Sequence, residues 1–293
     1  MAKTQIKRVG LFGKHASRTT GDEIRRLRQF LRERKLEVLL EDTAASLIEK
    51  ETAGHHPLAQ IGKDIDLAIV IGGDGTLLSV ARALADFEIP LIGVNLGRLG
   101  FLTDIAPENM LEGIGKILDG EYVDEERFLL AAEIMRDGAM VHASKAVNDV
   151  IINKGELSRL IEFETYVDDQ FVNRMLADGI IVATPTGSTA YALSAGGPLL
   201  HPALGAIVLV PICPHTLSDR PIVISSNSVV RIVMIGDDNQ RGHVTFDGQL
   251  HYPLRDRDQI LVRRASKAIH LWHPAGRTHY DVLRAKLHWG SQF

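Results

Sequence analysis

The sharpest chemical signal in the chain is the run Gly72-Gly73-Asp74-Gly75-Thr76. It lies between an apolar stretch, Leu67–Ile71, and a segment, Thr76–Leu84, whose apolar residues recur at helical spacing. Glycines let a backbone turn tightly and approach a ligand with no Cβ in the way. The free N–H groups and positive dipole end of a following helix suit phosphate oxygens. A carboxylate in that place repels phosphate. Asp74 therefore makes sense as the acceptor of a proton from an attacking hydroxyl, or as the holder of a metal that neutralises the phosphates. The competing reading is a glycine turn whose aspartate caps the helix.

Two further clusters carry polar groups in unusual places. In Val147-Asn148-Asp149-Val150 an amide and a carboxylate stand among β-branched residues, and aspartate is depleted in strands. An amide can address a base edge and a carboxylate can accept from two ribose hydroxyls. A turn before a hairpin would also use this pair. The third cluster, Asp178-Gly179-Ile180-Ile181-Val182-Ala183-Thr184-Pro185-Thr186-Gly187-Ser188-Thr189-Ala190-Tyr191, leads an apolar strand into a turn dense in hydroxyls and then a helical start through Ser194. It would present hydroxyls and N–H groups to one small volume, or serve as a heavily capped helix start.

Spacing excludes two familiar nucleotide folds. The chain contains no G-x-x-x-x-G-K-[ST] loop. The residues after the first apolar run, Gly10-Leu11-Phe12-Gly13-Lys14-His15, do not form G-x-G-x-x-G, which argues against a hydride-transferring dehydrogenase. With a net charge of −4, aromatics at 5% and basic residues scattered, a nucleic-acid partner is disfavoured. Arg25, Arg26 and Arg28 read as the solvated face of a helix. The single cysteine, Cys213, closes an apolar run and reads as a packing residue rather than a nucleophile; it permits no intrachain disulfide and fits a cytoplasmic protein. The histidines are dispersed without metal-ligand spacing, and His55–His56 read as loop residues. No signal peptide or membrane-length apolar stretch is expected.

The elements that must position these clusters change character along the chain. Val9–Phe12, Glu37–Leu40, Leu67–Ile71 and Pro90–Val94 read as strands, alternating with helices from about Asp22 to Lys35, Thr76–Leu84 and Met110–Leu118. That alternation predicts an α/β domain with a parallel sheet covered on both faces. From about Arg127 period-two segments dominate: Ile161–Val167 with a turn at Asp168–Asp169, Val229–Ile235, His243–Phe246, and two further strands at Ile260–Val262 and Ile269–Leu271. These predict an all-β, sandwich-like domain. Helical spacing returns at His279–Trp289. The expected division is 1–127 plus 275–293 against 128–274.

Together the clusters resemble the NAD kinase family over nearly the whole chain. The Gly72–Thr76, Asn148–Asp149 and Asp178–Tyr191 runs stand in the family's order and approximate spacing, and Gly93-Val94-Asn95-Leu96-Gly97-Arg98-Leu99-Gly100-Phe101-Leu102 is similar to its glycine-rich stretch. The glycine loop is shared with lipid kinases and phosphofructokinases; its combination with Thr184–Tyr191 is highly specific. The resemblance implies an N-terminal α/β domain, a C-terminal β-sandwich, an active site between them and a homodimer or homotetramer. It implies phosphoryl transfer from ATP, carried with Mg2+, to the adenosine ribose 2′-hydroxyl of NAD. Asp74 would be the general base, with Gly72, Gly73 and Gly75 along the phosphate path. Asn148 and Asp149 would hold the adenosine end. Asp178, Thr186, Thr189, Ala190, Tyr191 and Ser194 would contact the rest of the dinucleotide, and Arg159 and Gln249 would complete the pocket. Two departures stand out: Leu176 where some bacterial relatives carry a basic residue, and Asn-Asp where the family often has Asn-Glu.

Two other functions compete. A lipid or sphingoid kinase would need an apolar cavity or a basic amphipathic stretch, which the sequence does not supply. A non-catalytic dinucleotide sensor would keep Asn148, Asp149 and Thr189–Tyr191 but has no use for a carboxylate at position 74.

Overall fold

The computed structural model describes residues 6–13, 18–48, 55–97, 100–155, 160–216, 218–236, 242–276 and 278–289. The chain forms two compact units, Met1–Glu126 with Ile269–Phe293, and Arg127–Ala268.

The first unit alternates strand and helix: β1 (Arg8–Gly13), α1 (Arg18–Glu33), β2 (Glu37–Glu41), α2 (Asp42–Ile48), β3 (His55–His56), α3 (Leu58–Ile61), β4 (Leu67–Ile71), α4 (Asp74–Leu84), β5 (Pro90–Val94) and α5 (Met110–Leu118). The strands lie in the order β3-β2-β1-β4-β5, all parallel. On one face Leu67, Ile69 and Ile71 pack with Ile24, Leu27 and Leu31 of α1, Ala44 and Ala45 of α2, and Ile114 and Ile117 of α5. Ala68 and Val70, of opposite parity, are buried as well, which is why β4 is apolar throughout rather than alternating. The chain winds from β1 outward to β3, then returns to the other side of β1 with β4. In such sheets ligands bind beyond the carboxyl ends of the strands at this reversal, and Gly72–Gly75 sits at that end of β4.

The second unit is built from β6 (Tyr122–Arg136, whose first residues belong to the first unit), β7 (Ala139–Ala146), β8 (Asp149–Lys154), β9 (Ile161–Val167), β10 (Gln170–Ala177), β11 (Gly179–Ala183), the single turn α6 (Tyr191–Ser194), β12 (Ala206–Ile212), β13 (Ile222–Ser225), β14 (Val230–Ile235), β15 (Gly242–Phe246), β16 (Leu250–Pro253) and β17 (Gln259–Pro274). Strands β13-β12-β11-β8-β15-β16 form one antiparallel sheet. Strands β10-β9-β14 and the start of β17 form another, and β6 pairs with β7. Val150, Ile152, Ile180, Val182, Leu209, Val244 and Phe246 from the first sheet meet Phe163, Met175, Val230, Ile232 and Ile260 in one core, so the unit is a sandwich. Ile151, Ile181, Ala183, Val208 and Val210 point the other way, onto Ala192 and Leu200. β11 is therefore buried on both faces. Helix α7 (His279–Leu287) begins with a capping box in which Thr278 and Asp281 satisfy each other's backbone N–H groups.

Three expectations need correction. Ile260–Val262 and Ile269–Leu271 are one strand, β17, pairing Val262 with Val230 antiparallel and His270 with Pro90 parallel. Arg263–Ala268 lack large apolar side chains, but a strand is held by its backbone and needs none there. His55–His56 form strand β3 rather than a loop. The first helix starts at Arg18, four residues before the expected Asp22, through Thr19 and Thr20, of which Thr20 is buried.

The second unit also buries a charge. Asp258 is 0% exposed and takes a bidentate contact from Arg136, Nε to Oδ1 at 2.8 Å and Nη2 to Oδ2 at 2.6 Å, with Arg255 N donating at 2.9 Å. The carboxylate beside it holds Arg136 above the usual guanidinium range. Asp258→Ala leaves that guanidinium without its partner and is expected to destabilise the protein by about 3 kcal/mol. Urea unfolding checks this as a lower midpoint at unchanged slope; an unchanged midpoint would show that the pair contributes nothing.

Candidate active site

Asp74 is the first residue of α4, and Gly73 precedes it in extended backbone, φ −91° and ψ −179°. The aspartate does not cap its own helix. Its carboxylate turns to the segment after β5: Oδ2 accepts from Phe101 N at 2.7 Å, and Oδ1 accepts from Leu102 N at 3.1 Å, Thr103 N at 3.0 Å and Thr103 Oγ1 at 2.9 Å. The capping alternative is thereby overturned. Thr103 Oγ1 is oriented in turn by Asn95 Nδ2 at 3.1 Å, and Asn95 Oδ1 accepts from Gly97 N at 2.7 Å. Three of the four donors crowd Oδ1, so Oδ2 keeps acceptor capacity for an incoming proton donor.

The glycines around this carboxylate have separable reasons. A Cβ on Gly100 would come within 2.0 Å of Asp74 Oδ1, and one on Gly93 within 2.8 Å of Thr103 Cγ2. Only glycine at these places lets the segment close on the aspartate. A Cβ on Gly72 would meet Thr76 Oγ1 at 2.7 Å, whereas one on Gly73 would meet nothing within 4 Å, and the φ of Gly73 is open to any residue. No neighbour among the described residues requires glycine at 73. Gly75 is exposed at the same turn. Arg98 and Leu99, quoted in the glycine-rich stretch, lie outside the described residues.

In the second unit, Val147 and Asn148 make the bend where the chain leaves β7 for β8, and Asp149 opens β8 opposite Ala183. This is a crossing from one sheet to the other, not a hairpin. Three contacts hold it. Thr184 N donates to Asn148 O at 2.9 Å, and Thr184 Oγ1 donates to Val147 O at 2.7 Å. A Cβ on Gly187 would stand 2.1 Å from Asn148 O, so the hydroxyl-rich loop packs backbone to backbone against the bend. From the other side Asp247 accepts from the N–H groups of Val147, Asn148 and Asp149 at 3.2, 2.7 and 3.4 Å. Asn148 Oδ1 is buried and makes no hydrogen bond.

The loop hydroxyls largely serve the loop itself. Ser188 Oγ donates to Pro185 O at 2.6 Å and accepts from Leu200 N at 2.9 Å, Thr189 Oγ1 donates to Thr186 O at 3.1 Å, and Thr186 Oγ1 accepts from Arg127 at 3.2 Å. The hydroxyl-lined pocket expected from Thr and Ser content is thus mainly a set of internal staples. Ala190 is partly exposed, and Tyr191 and Ser194 are exposed on α6. Gln249 follows Asp247 and Gly248, both at positive φ, in a turn closed by Gln249 N to Phe246 O at 3.0 Å, two residues past the Asp247 that meets the Asn148 bend. Asp178 sits at the opposite end of β11 from Thr184, about 20 Å away at strand rise, and pairs with Lys154 at 2.6 Å. A single ligand touching both ends must be extended. Arg159 lies outside the described residues. Leu176 is exposed, and nearby Arg174 pairs with Glu162 at 2.8 Å. Cys213 is exposed at φ 44°, not buried as its apolar run suggested, because it falls just past the end of β12.

Sequence reasoning missed Asp247 and Thr103, and gave no role to Asn95 inside the quoted glycine-rich stretch. Asp247-Gly248 carries the Asp-Gly signature of a tight hairpin turn, but nothing local shows that the turn meets Asn148. Thr103 falls one residue past the quoted glycine-rich stretch.

Family models match both parts of the chain. The ATP-NAD kinase N-terminal domain model matches residues 9–122 and the ATP-NAD kinase C-terminal domain model matches 147–273. The chain belongs to the NAD kinase family. An NAD kinase of Pseudomonas putida (strain W619) is 49% identical over 288 residues, 98% of this chain and 97% of that one. An NAD kinase of Ectopseudomonas mendocina (strain ymp) is 46% identical over 288 residues, 98% of each chain. In fold the chain is similar to yeast NADH kinase complexed with NADH, with a TM-score of 0.90 at 24% identity over 99% of this chain and 90% of that one. It is similar too to an NAD kinase from Archaeoglobus fulgidus in complex with ATP, at 0.74 and 24% over 95% and 99%. Among the described residues no helix is long and apolar enough to cross a membrane, and no group of three His, Cys, Asp or Glu side chains is placed to hold a metal ion.

Asp149 gives the site a pH dependence. Burial pushes its carboxyl up to about 7, and the charge of Asp247 adds to the shift. The folded state therefore binds a proton more tightly than the unfolded state. The associated stability is full below pH ~4 and is lost as pH rises through ~7. Asp149→Asn is expected to abolish this loss and to raise the melting temperature of the ligand-free protein at pH 8 relative to the parent. Melting curves at pH 5 and pH 8 decide it, and equal slopes in parent and variant would remove Asp149 as the cause. Gly187→Ala forces the loop off Asn148 O and is expected to weaken NAD binding at least ~10-fold, read by calorimetry; parental affinity would show that the loop contact is dispensable.

Proposed function

We propose that this NAD kinase family member transfers the γ-phosphoryl group of ATP to the 2′-hydroxyl of the adenosine ribose of NAD, giving NADP and ADP. The observation that carries the reading is the placement of Asp74. Its carboxylate stands at the carboxyl end of β4, at the sheet's reversal, held by donors from residues 101–103 with one oxygen still able to accept. In the reaction the 2′-oxygen attacks the γ-phosphorus in line, the bond to the β–γ bridging oxygen breaks and ADP leaves. The hydroxyl proton passes to Asp74. Phosphoryl transfer asks mainly for positioning and charge stabilisation, which is the task of a fixed carboxylate and a helix N-terminus.

Gly73 fits the phosphate path, since nothing among the described residues accounts for a glycine there. Gly72 and Gly75 flank it. Asn148 and Asp149 take the adenosine end: the orphaned Asn148 Oδ1 accepts from an amino group, and Asp149 accepts from ribose hydroxyls once ionised. Thr186, Thr189, Ala190, Tyr191, Ser194, Gln249 and Arg159 complete the dinucleotide contacts, and Asp178 meets its far end. Magnesium enters with ATP as part of the substrate. The two compact units serve as the α/β and sandwich domains. The protein works in the cytoplasm as a homodimer or homotetramer, a reading supported by its lone cysteine and by the exposed Ile222 and Val223 on edge strand β13.

The test is incubation of the pure protein with Mg-ATP and NAD and assay of NADP with an NADP-specific dehydrogenase. NADP formation is expected, with turnover at least ~100-fold lower in Asp74→Asn and NAD binding retained. Near-parental turnover in the variant would remove Asp74 from the mechanism. NAD binding without NADP formation would instead make the protein a dinucleotide sensor.

A further inference from the structure

We propose that His273, near the C-terminal end of β17, is a positioning residue for phosphoryl transfer. It acts through Asp104 on the 101–103 backbone that clamps Asp74, and the inference rests on the kinase reading above. His273 Nδ1 lies 3.0 Å from Asp104 Oδ2, and the two side chains are 13% and 6% exposed. The carboxylate accepts, so Nδ1 carries the proton. On the other edge of the ring Nε2 is buried without a hydrogen bond, with Glu125 Oε2 at 3.7 Å. The ring is thus aimed by Asp104 rather than by solvent.

The connection to Asp74 runs through consecutive residues. Thr103 gives both its N–H and its hydroxyl to Asp74 Oδ1. Asp104, next in the chain, meets His273 instead. Ile105 is tied down by Asn95 N to its carbonyl at 2.8 Å and by its own N–H to Gly93 O at 3.4 Å. The donors at 101–103 are therefore fixed at 105 by β5 and at 104 by an imidazole about 170 residues downstream. A short loop carrying Gly97 and Gly100 would otherwise have little to hold its register. A buried polar contact is a poor device for stability alone, since replacing both partners by apolar groups of like shape can be nearly neutral. It suits a place where the direction of a few N–H groups matters. Trp272, the preceding residue, faces the other side and stacks on Tyr122 with ring centroids 4.1 Å apart, so substitution at 273 leaves that packing in place.

The experiment compares NADP formation by the parent, His273→Leu and His273→Asn, with melting curves of each. An asparagine Nδ2 stands near the place of the imidazole Nδ1 and can still donate to Asp104. His273→Leu is expected to lower kcat roughly 10- to 100-fold with KM for NAD changed less than about twofold, and His273→Asn to recover most of the loss. Asp104→Ala, which removes the acceptor of that hydrogen bond, should reproduce the fall in kcat and serves if the leucine variant does not fold. An active parent with unaffected kcat in His273→Leu and Asp104→Ala overturns the inference alone. So do equal losses in the leucine and asparagine variants, because the effect would then be packing. A parent that makes no NADP overturns the kinase reading, and this inference with it.

Discussion

A carboxylate at the start of a helix has donors close at hand, yet Asp74 turns away from its own helix to the backbone of residues 101–103. That choice organises much of the first unit. The segment after β5 must double back over the end of β4, which needs Gly93 and Gly100 where a side chain would collide with Thr103 or with Asp74 itself. Thr103 must present hydroxyl and N–H together, and Asn95 must aim that hydroxyl. Charge-assisted hydrogen bonds are about twice as strong as neutral ones, so four of them on one carboxylate order a loop that has little apolar surface of its own. The remaining acceptor position on Oδ2 is then fixed in direction as well as in charge.

The second unit solves a related problem with the roles reversed. At the Asn148 bend the backbone supplies the donors and Asp247 the carboxylate, gathering three successive N–H groups at the crossing between sheets. Thr184 and the bare backbone of Gly187 close the other side. The cost of this arrangement falls on Asp149, which is buried beside another carboxylate and is pushed up to about 7. A group that titrates near neutrality and stands next to an unsatisfied amide oxygen is more readily explained by a ligand than by stability, because both features destabilise the empty protein.

Burial on both faces recurs in the two units and explains where apolar patterning was informative. β4 lies between helix layers, and β11 lies between the opposing sheet and the 184–200 segment. Both read as unbroken apolar runs, and each ends in a glycine- or hydroxyl-rich loop. Where burial is one-sided, as in β9 and β14, strict alternation appears instead.

The local chemistry was legible in the chain itself. Unbroken apolar runs at 67–71 and 90–94 and helical spacing at 110–118 located those elements to the residue, since each follows from nearest neighbours and periodicity. The glycine loop, Asn148–Asp149 and the Thr184–Tyr191 stretch were likewise visible as polar or flexible residues set against apolar strands. Tertiary structure alone decided what those groups touch. Asp74 meets 101–103, Asp247 meets 147–149 and His273 meets Asp104 across separations that no periodicity spans. It also decided that the polar stretch 263–268 continues a strand and that most loop hydroxyls bind the loop's own backbone. Hydrogen bonds between distant residues depend on how chain segments pack, and sequence spacing carries that information only where the partners are near neighbours.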